Sequence, residues 1–148
     1  MHILLQTIAA LILFKSSFGA MSFETVASGA SSGIERQIAE IVRSREDLER
    51  LWAEHGSNSI PPPDPPSVDF DADMLVCVFR GTQSSGGYSV RVESVEEDGG
   101  GVIIRYTASD PGPMAMVTMA MTQPHHIVKT KKILGAARFV EMAPPTDL

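Results

Sequence analysis

Residues 71 to 95 constrain the fold most strongly, because they predict two strands of different character joined by a glycine-rich loop. Residues 74–79 form an unbroken apolar run, which is typical of a strand covered on both faces. Residues 88–93 alternate apolar and polar side chains, as a half-exposed strand does. Gly86 and Gly87 allow the connecting loop backbone conformations that other residues avoid. We therefore predict a central hairpin within a β-rich domain.

A single helix is predicted over residues 44–56. Ser44 begins a Ser-x-x-Asp capping box, and Gly56 is typical of a helix C-terminus. Leu48, Leu51, Trp52 and His55 share one face of the helix. We expect Trp52 to fill the space between the helix and a sheet.

The rest of the chain indicates short strands and irregular connections. Residues 57–68 contain five prolines and predict a stiff, extended connection. Further strands are predicted at residues 23–28, 34–42, 102–107, 127–132 and 136–142. The fold class is α+β and β-dominated: an antiparallel sandwich or partly open barrel of six to eight short strands with one α-helix. One domain is expected over residues 20–142, followed by a disordered tail over residues 143–148.

The N-terminus resembles a signal peptide. Residues 3–14 are apolar except for two positions, which is too short for a membrane span and typical of a signal-peptide core. Ser17 and Gly19 supply small residues before a predicted cleavage site, although no Lys or Arg precedes the apolar core. We expect residues 1–19 to be removed, leaving a periplasmic or secreted protein that does not span the membrane. An N-terminal helix packed on the domain is the alternative.

Charge and cysteine content exclude several classes of function. The net charge is −6, and the only local group of basic residues is Lys129, Lys131 and Lys132. Because nucleic-acid binding needs a concentrated basic surface, we predict no nucleic-acid partner. Cys77 is the only cysteine and lies in the most apolar run, so we predict a buried, inert thiol.

Four methionines lie close together near two histidines. Met114, Met116, Met119 and Met121 precede His125 and His126, and thioether and imidazole ligands suit copper(I). If residues 114–121 formed a strand, however, the four thioethers would be divided between its two faces. We therefore expect these methionines to pack in the core and predict no metal site or cofactor, with copper binding by segment 114–126 as a minor alternative.

The loop after the apolar strand resembles a known family. Gly86-Gly87-Tyr88-Ser89, preceded by Gly81, resembles the signature loop of the C-terminal domain of the PrcB family of protease complex subunits. The resemblance extends over residues 23–140 and includes segments 31–34, 44–53, 61–70, 116–118 and 124–128, with His125 where the family tends to have Tyr.

The resemblance implies an accessory subunit that associates with or stabilises an extracytoplasmic protease. No nucleophile–base pair emerges from the sequence, and Gly29–Gly33 matches Gly-x-Ser-x-Gly without the following helix that a nucleophile elbow requires. We therefore predict a protein-binding domain with no enzymatic activity. The predicted partner-binding residues lie in one flexible loop: Gly81, Gln83, Ser84, Ser85, Gly86, Gly87 and Tyr88.

Two alternatives to this interpretation remain. The Gly-Tyr pair and its flanking strands are loosely similar to the loop of chagasin-type cysteine-protease inhibitors, which makes direct inhibition an alternative function. The second is that Gly86 and Gly87 only permit a tight turn while Tyr88 packs inward.

Overall fold

The computed structural model describes residues 18–145, which form two four-stranded sheets and one α-helix. The strands are β1 (Phe18–Met21), β2 (Phe23–Gly29), β3 (Ile38–Val42), β4 (Asp73–Phe79), β5 (Ser89–Asp98), β6 (Gly101–Ser109), β7 (His125–Lys131) and β8 (Ala137–Met142), and the helix is α1 (Arg45–His55). The predicted β-dominated α+β sandwich is confirmed, with no closed barrel among the described residues. The core of the predicted signal peptide lies outside the described residues.

The strands are divided between the two sheets in an order that local patterns do not reveal. Sheet A has the order β1-β5-β6-β8, and sheet B has the order β2-β7-β4-β3. Strands β4 and β5 therefore belong to different sheets, and the predicted central hairpin is wrong. The actual hairpin joins β5 to β6 through Gly99 and Gly100, which both have positive φ as a type I′ turn requires. All pairings are antiparallel except that of β6 with β8, which is parallel.

Strand β4 is buried on both faces, as its unbroken apolar sequence predicts. Its even-numbered residues, Met74 to Val78, face sheet A in the core between the sheets. Its odd-numbered residues, Leu75 to Phe79, form a second core with the apolar face of α1. The domain thus has three layers, and sheet B is the central one.

The helix begins and ends where the sequence predicts. The Ser44 side chain accepts a hydrogen bond from the Asp47 amide at 3.2 Å, and the Gly56 amide donates to the Trp52 carbonyl at 2.9 Å. Trp52 is 8% exposed and packs between α1 and sheet B, as expected. Its indole Nε1 is buried without a hydrogen-bond partner among the described residues.

The two edges of the sandwich differ. At one edge, Ser22 alone separates β1 from β2, so the chain passes directly from sheet A to sheet B. At the other edge, β3 and β8 are the terminal strands of their sheets. At this edge, Arg43 joins the end of β3 to the loop between β7 and β8. Its guanidinium donates to the carbonyls of Ile133, at 3.0 Å, and Gly135, at 2.7 Å.

Three segments differ from their predicted conformation or burial. Only Ile38–Val42 of the predicted strand 34–42 forms a strand. Residues 110–121 have no strand structure, and all four methionines are exposed, so their predicted core packing is wrong. The strand β1 begins at Phe18 and includes Gly19, the last two residues of the predicted leader.

Candidate partner-binding site

The predicted partner-binding loop, residues 81–88, carries the chain from β4 in sheet B to β5 in sheet A. It begins at Gly81, which is buried and has φ +83°. A Cβ atom here would lie 3.0 Å from the Gln37 amide nitrogen, so this position needs glycine for both its conformation and its close contact. The next residue, Thr82, donates its amide to the Glu35 carbonyl at 3.0 Å. The first half of the loop is therefore packed against the segment before β3.

The second half is bound to the methionine loop, which we define as residues 110–124. Gln83 and Thr122 exchange two backbone hydrogen bonds, of 2.7 and 3.0 Å. The Gly86 amide donates to the Thr118 carbonyl at 3.0 Å, and the Thr122 hydroxyl donates to the Ser85 carbonyl at 2.8 Å. Four hydrogen bonds thus fix a loop that its glycine and serine content predicts to be flexible.

The paired glycines are needed for this packing. A Cβ atom on Gly86 would lie 2.4 Å from the Thr118 hydroxyl oxygen. A Cβ atom on Gly87 would lie 2.7 Å from the Pro111 side chain and 2.8 Å from that of Val117. Gly87 also has φ +90°, a conformation that favours glycine. The glycines therefore permit both a turn and the close approach of the two loops.

Arg80 and Tyr88 lie at the base of the loop. The Arg80 guanidinium stands over the Tyr88 ring, 5.1 Å from its centroid. It also donates to the Ser109 carbonyl at 2.7 Å and pairs with the Asp110 carboxylate. The Arg80 side chain is only 16% exposed, and Tyr88 is half-buried. The Tyr88 ring therefore packs against Arg80 at the base of the loop and is also partly exposed to solvent.

A groove opens beside this loop at the β3–β8 edge. Its volume is about 480 Å³, and it runs between the two sheets. Its apolar lining includes Ile38 and Ala39 of β3, and its polar lining includes Gln83, Tyr106 and Glu141. Because these residues come from distant parts of the chain, sequence reasoning missed the groove. Gln83 is the predicted partner-binding residue that lines it, while Ser84 and Gly87 are exposed on the loop above.

A buried serine–histidine pair is a second feature that sequence reasoning missed. The Ser32 hydroxyl and His55 Nδ1 share a hydrogen bond of 2.8 Å, and the His55 and His125 ring centroids are 4.6 Å apart. Burial, and secondarily the neighbouring His125, lowers the pKa of His55 to about 4, so its imidazole is neutral at pH 7. Ser32 is only 2% exposed, and its hydroxyl also accepts the Ile34 amide. This buried arrangement joins the helix to the 31–34 segment.

The Gly-x-Ser-x-Gly pattern also lacks the geometry of a nucleophile elbow. Its central Ser31 is exposed and accepts a hydrogen bond from the Asn58 side chain at 3.0 Å. The next regular element is strand β3, whereas a nucleophile elbow leads directly into a helix.

The adjacent histidines point to opposite faces of β7, as their spacing predicts. His125 packs against His55 and Phe79 on the helix side. On the other side, His126 Nδ1 accepts the Val92 amide at 2.9 Å, while its Nε2 shares a 2.8 Å hydrogen bond with the Thr25 hydroxyl. Burial lowers the pKa of both imidazoles. Residues 18–145 contain no group of three or more His, Cys, Asp or Glu side chains arranged to hold a metal.

Within residues 18–145, no helix is long enough and apolar enough to cross a membrane.

Comparison with known proteins finds a family model that matches the central part of the chain. No curated protein and no solved structure matches the chain significantly. A family model described as PrcB C-terminal matches residues 74–131, which run from β4 to β7 and include both loops of the candidate site. The matched residues do not reach segments 31–34, 44–53 and 61–70, so the similarity of those segments stays a prediction. The family model confirms, over residues 74–131, the resemblance to the PrcB C-terminal domain drawn from the signature loop.

Proposed function

We propose that this domain binds another protein without catalysing a reaction, as an accessory subunit of an extracytoplasmic protease. The family match supports a protease-associated role. The groove at the β3–β8 edge is the observation that carries the proposal, because it offers an open, partly apolar surface next to the loop that resembles the family signature.

The edge strand β3 supplies the means of contact. Among the described residues it pairs only with β4, so the backbone groups on its outer side have no strand partner. Exposed edges in soluble proteins are usually protected by charged side chains (lysine above all), by proline or by a bulge. Strand β3 has no proline, lysine or bulge and carries one charged side chain, Glu40, whereas β2 at the opposite edge of the sheet has a bulge between Thr25 and Ala27. An extended segment of the partner would add to β3 and place alternate side chains in the groove.

A capture experiment tests the proposal. The purified protein serves as bait in the periplasm or culture medium of its native source, and the captured proteins are identified by mass spectrometry. Ala39→Arg would fill the groove with a charged side chain, since Ala39 is exposed and lines the groove. We expect the wild type to capture a protease and Ala39→Arg to lose that capture by at least about tenfold, the effect of some 1.4 kcal/mol of binding energy.

Ala53→Arg provides the matched control. Ala53 is exposed on α1 and does not line the groove, so this variant carries the same new charge on a different surface. It should capture as much protease as the wild type. Recovery of no protease-like partner, or equal capture by Ala39→Arg, would contradict the proposal.

Activity of the captured protease separates the accessory role from inhibition. If the domain is an accessory subunit, the protease should stay active for longer when the domain is present at a saturating concentration. A fall in protease activity on addition of the domain would instead support an inhibitor of the chagasin type.

Export is part of the proposal and has its own test. We propose removal of residues 1–19 and a periplasmic or secreted location. The mass of the mature protein from its native source should correspond to a chain beginning at residue 20. A mature chain that begins at Met1 would contradict this.

A further inference from the structure

The methionine loop presents sulfur to solvent at four positions. The side chains of Met114, Met116, Met119 and Met121 are 91, 101, 94 and 69% exposed. They form two Met-Ala-Met pairs separated by Val117 and Thr118. Large apolar side chains are normally buried, so this density of exposed methionine requires an explanation.

The inward and outward apolar residues of the methionine loop are of different types. Val117 is half-buried and packs against Gly87, whereas the four large apolar side chains that point outward are all methionine. The other exposed large apolar residues among residues 18–145, Ile60 and Leu134, lie in other loops. Flexible methionine side chains also form adaptable protein-binding surfaces, so protein contact is the alternative that the test below separates from metal binding. The property that these four side chains share is the thioether.

The structure removes the main objection to a thioether site. In a strand, the two methionine pairs would face opposite ways, but residues 110–121 form no strand. Within each pair the Cα atoms are at most about 7 Å apart, given the 3.8 Å spacing of consecutive Cα atoms. Each methionine side chain has three rotatable bonds. Two thioethers of one pair can therefore reach the same ion, and the second pair follows three residues later.

The backbone of the methionine loop is held by hydrogen bonds at Thr118 and Thr122, next to the methionine pairs. Thr118 accepts the Gly86 amide and Thr122 pairs with Gln83, so the backbone between the two methionine pairs and after the second pair is fixed. Residues 111–124 contain no charged side chain. Uncharged, soft thioether ligands select copper(I) over harder divalent cations.

We propose that the methionine loop binds one soft monovalent cation, copper(I), through three or four of these thioethers. The histidines take no part, because His125 and His126 are buried and hydrogen-bonded to other groups. The site is distinct from the β3 groove and does not depend on the protease partner.

Silver(I) and copper(I) are the probes for the test. Silver(I) has no redox chemistry under these conditions, and copper(I) is kept reduced without oxygen and measured in competition with a chromophoric copper(I) chelator. With 13C-labelled methionine methyl groups, addition of one equivalent of silver(I) should shift the signals of the loop methionines. The Met74 signal should not move, because Met74 is fully buried and its sulfur accepts the Ile133 amide.

Leucine variants identify the ligands without disturbing the core. Replacing all four loop methionines with leucine keeps their apolar character, and it should lower copper(I) affinity by at least about a hundredfold while leaving the unfolding midpoint unchanged. The two pair variants, Met114→Leu with Met116→Leu and Met119→Leu with Met121→Leu, should each lose part of the affinity. A Cys77→Ala background excludes the thiol as the ligand.

Unchanged affinity in the fourfold leucine variant, or loop methyl signals that do not move with silver(I), would overturn the proposal. Capture of the protease by the fourfold variant is measured in parallel. Retained capture with lost metal binding shows that the two sites are independent, as we propose. Loss of capture in the same variant without any metal binding by the wild type would assign the methionines to protein contact and overturn the metal site.

Discussion

Replacing Gly87 with alanine tests whether the 81–88 loop is fixed to the methionine loop. The substitution places a side chain on a residue with φ +90° and brings the new Cβ within 2.8 Å of the Pro111 and Val117 side chains. Both effects destabilise the folded state. If the loop were free to move, it would relieve the contacts, and only the conformational effect would remain.

The expected cost follows from these two effects. A non-glycine residue in the left-handed region costs about 1–2 kcal/mol. Overpacking against close neighbours adds about 1–3 kcal/mol, since neither Pro111 nor Val117 can move away as freely as a long side chain. The free energy of unfolding should therefore fall by about 2–5 kcal/mol, which is a large part of the roughly 5–15 kcal/mol typical of a domain.

Two other glycines separate the contributions. Gly99 has φ +58° with open space around its Cβ position, so Gly99→Ala should cost about 1–2 kcal/mol from conformation alone. Gly112 lies in the methionine loop with open space and no positive φ, so Gly112→Ala should change stability by no more than about 0.5 kcal/mol. Urea denaturation followed by circular dichroism measures all three. A cost for Gly87→Ala no greater than that for Gly99→Ala would refute the packing of the two loops.

Three further predictions concern buried side chains. Trp52→Ala should lower the free energy of unfolding by about 3–5 kcal/mol in urea denaturation. Trp52→Phe should cost less, because it keeps an aromatic ring in the core while removing the unpartnered indole N–H; equal costs would contradict this. The folded state holds the pKa of His55 near 4, below its ordinary value, so the unfolded chain binds more protons between pH 6.5 and 4. The free energy of unfolding should therefore fall as the pH drops through this window, and it should fall less steeply in the His55→Asn variant. The same pH dependence in both proteins would contradict the low pKa assigned to His55. Burial raises the pKa of the Cys77 thiol, so a thiol reagent at pH 8 should react with it only after urea is added, and fast reaction of the folded protein would contradict its burial.

The features that the sequence predicts correctly depend on neighbouring residues. The capping side chain of Ser44 and the terminating Gly56 are within one helical turn of the groups that they satisfy. The apolar run of β4 predicts burial on both faces, whatever its partners are. Its strand partners, β3 and β7, lie about 35 and 50 residues away along the chain, and no local pattern identifies them.

The features that sequence reasoning missed depend on distant contacts. An apolar strand followed by glycines suggests a hairpin, but β4 ends beside β7, and the chain then crosses to sheet A. The alternation of methionine with small residues suggests a strand, yet the prolines at positions 111, 113 and 124 and the anchors at Thr118 and Thr122 keep this segment as a loop. The groove requires β3, β6 and β8 together, and only the tertiary structure brings them into contact.

The topology makes the two loops one surface. Phe79 at the end of β4 pairs with His125 at the start of β7, so the loop that leaves β4 and the loop that enters β7 must emerge side by side. In sheet A, Ser89 at the start of β5 pairs with Ser109 at the end of β6, which brings the other ends of the same two loops together. Arg80 then joins the two sheets at this corner through the Ser109 carbonyl and Asp110. A change in the backbone of one loop is therefore expected to shift the other, whereas leucine substitutions at the exposed methionine side chains leave the backbone contacts between the loops in place.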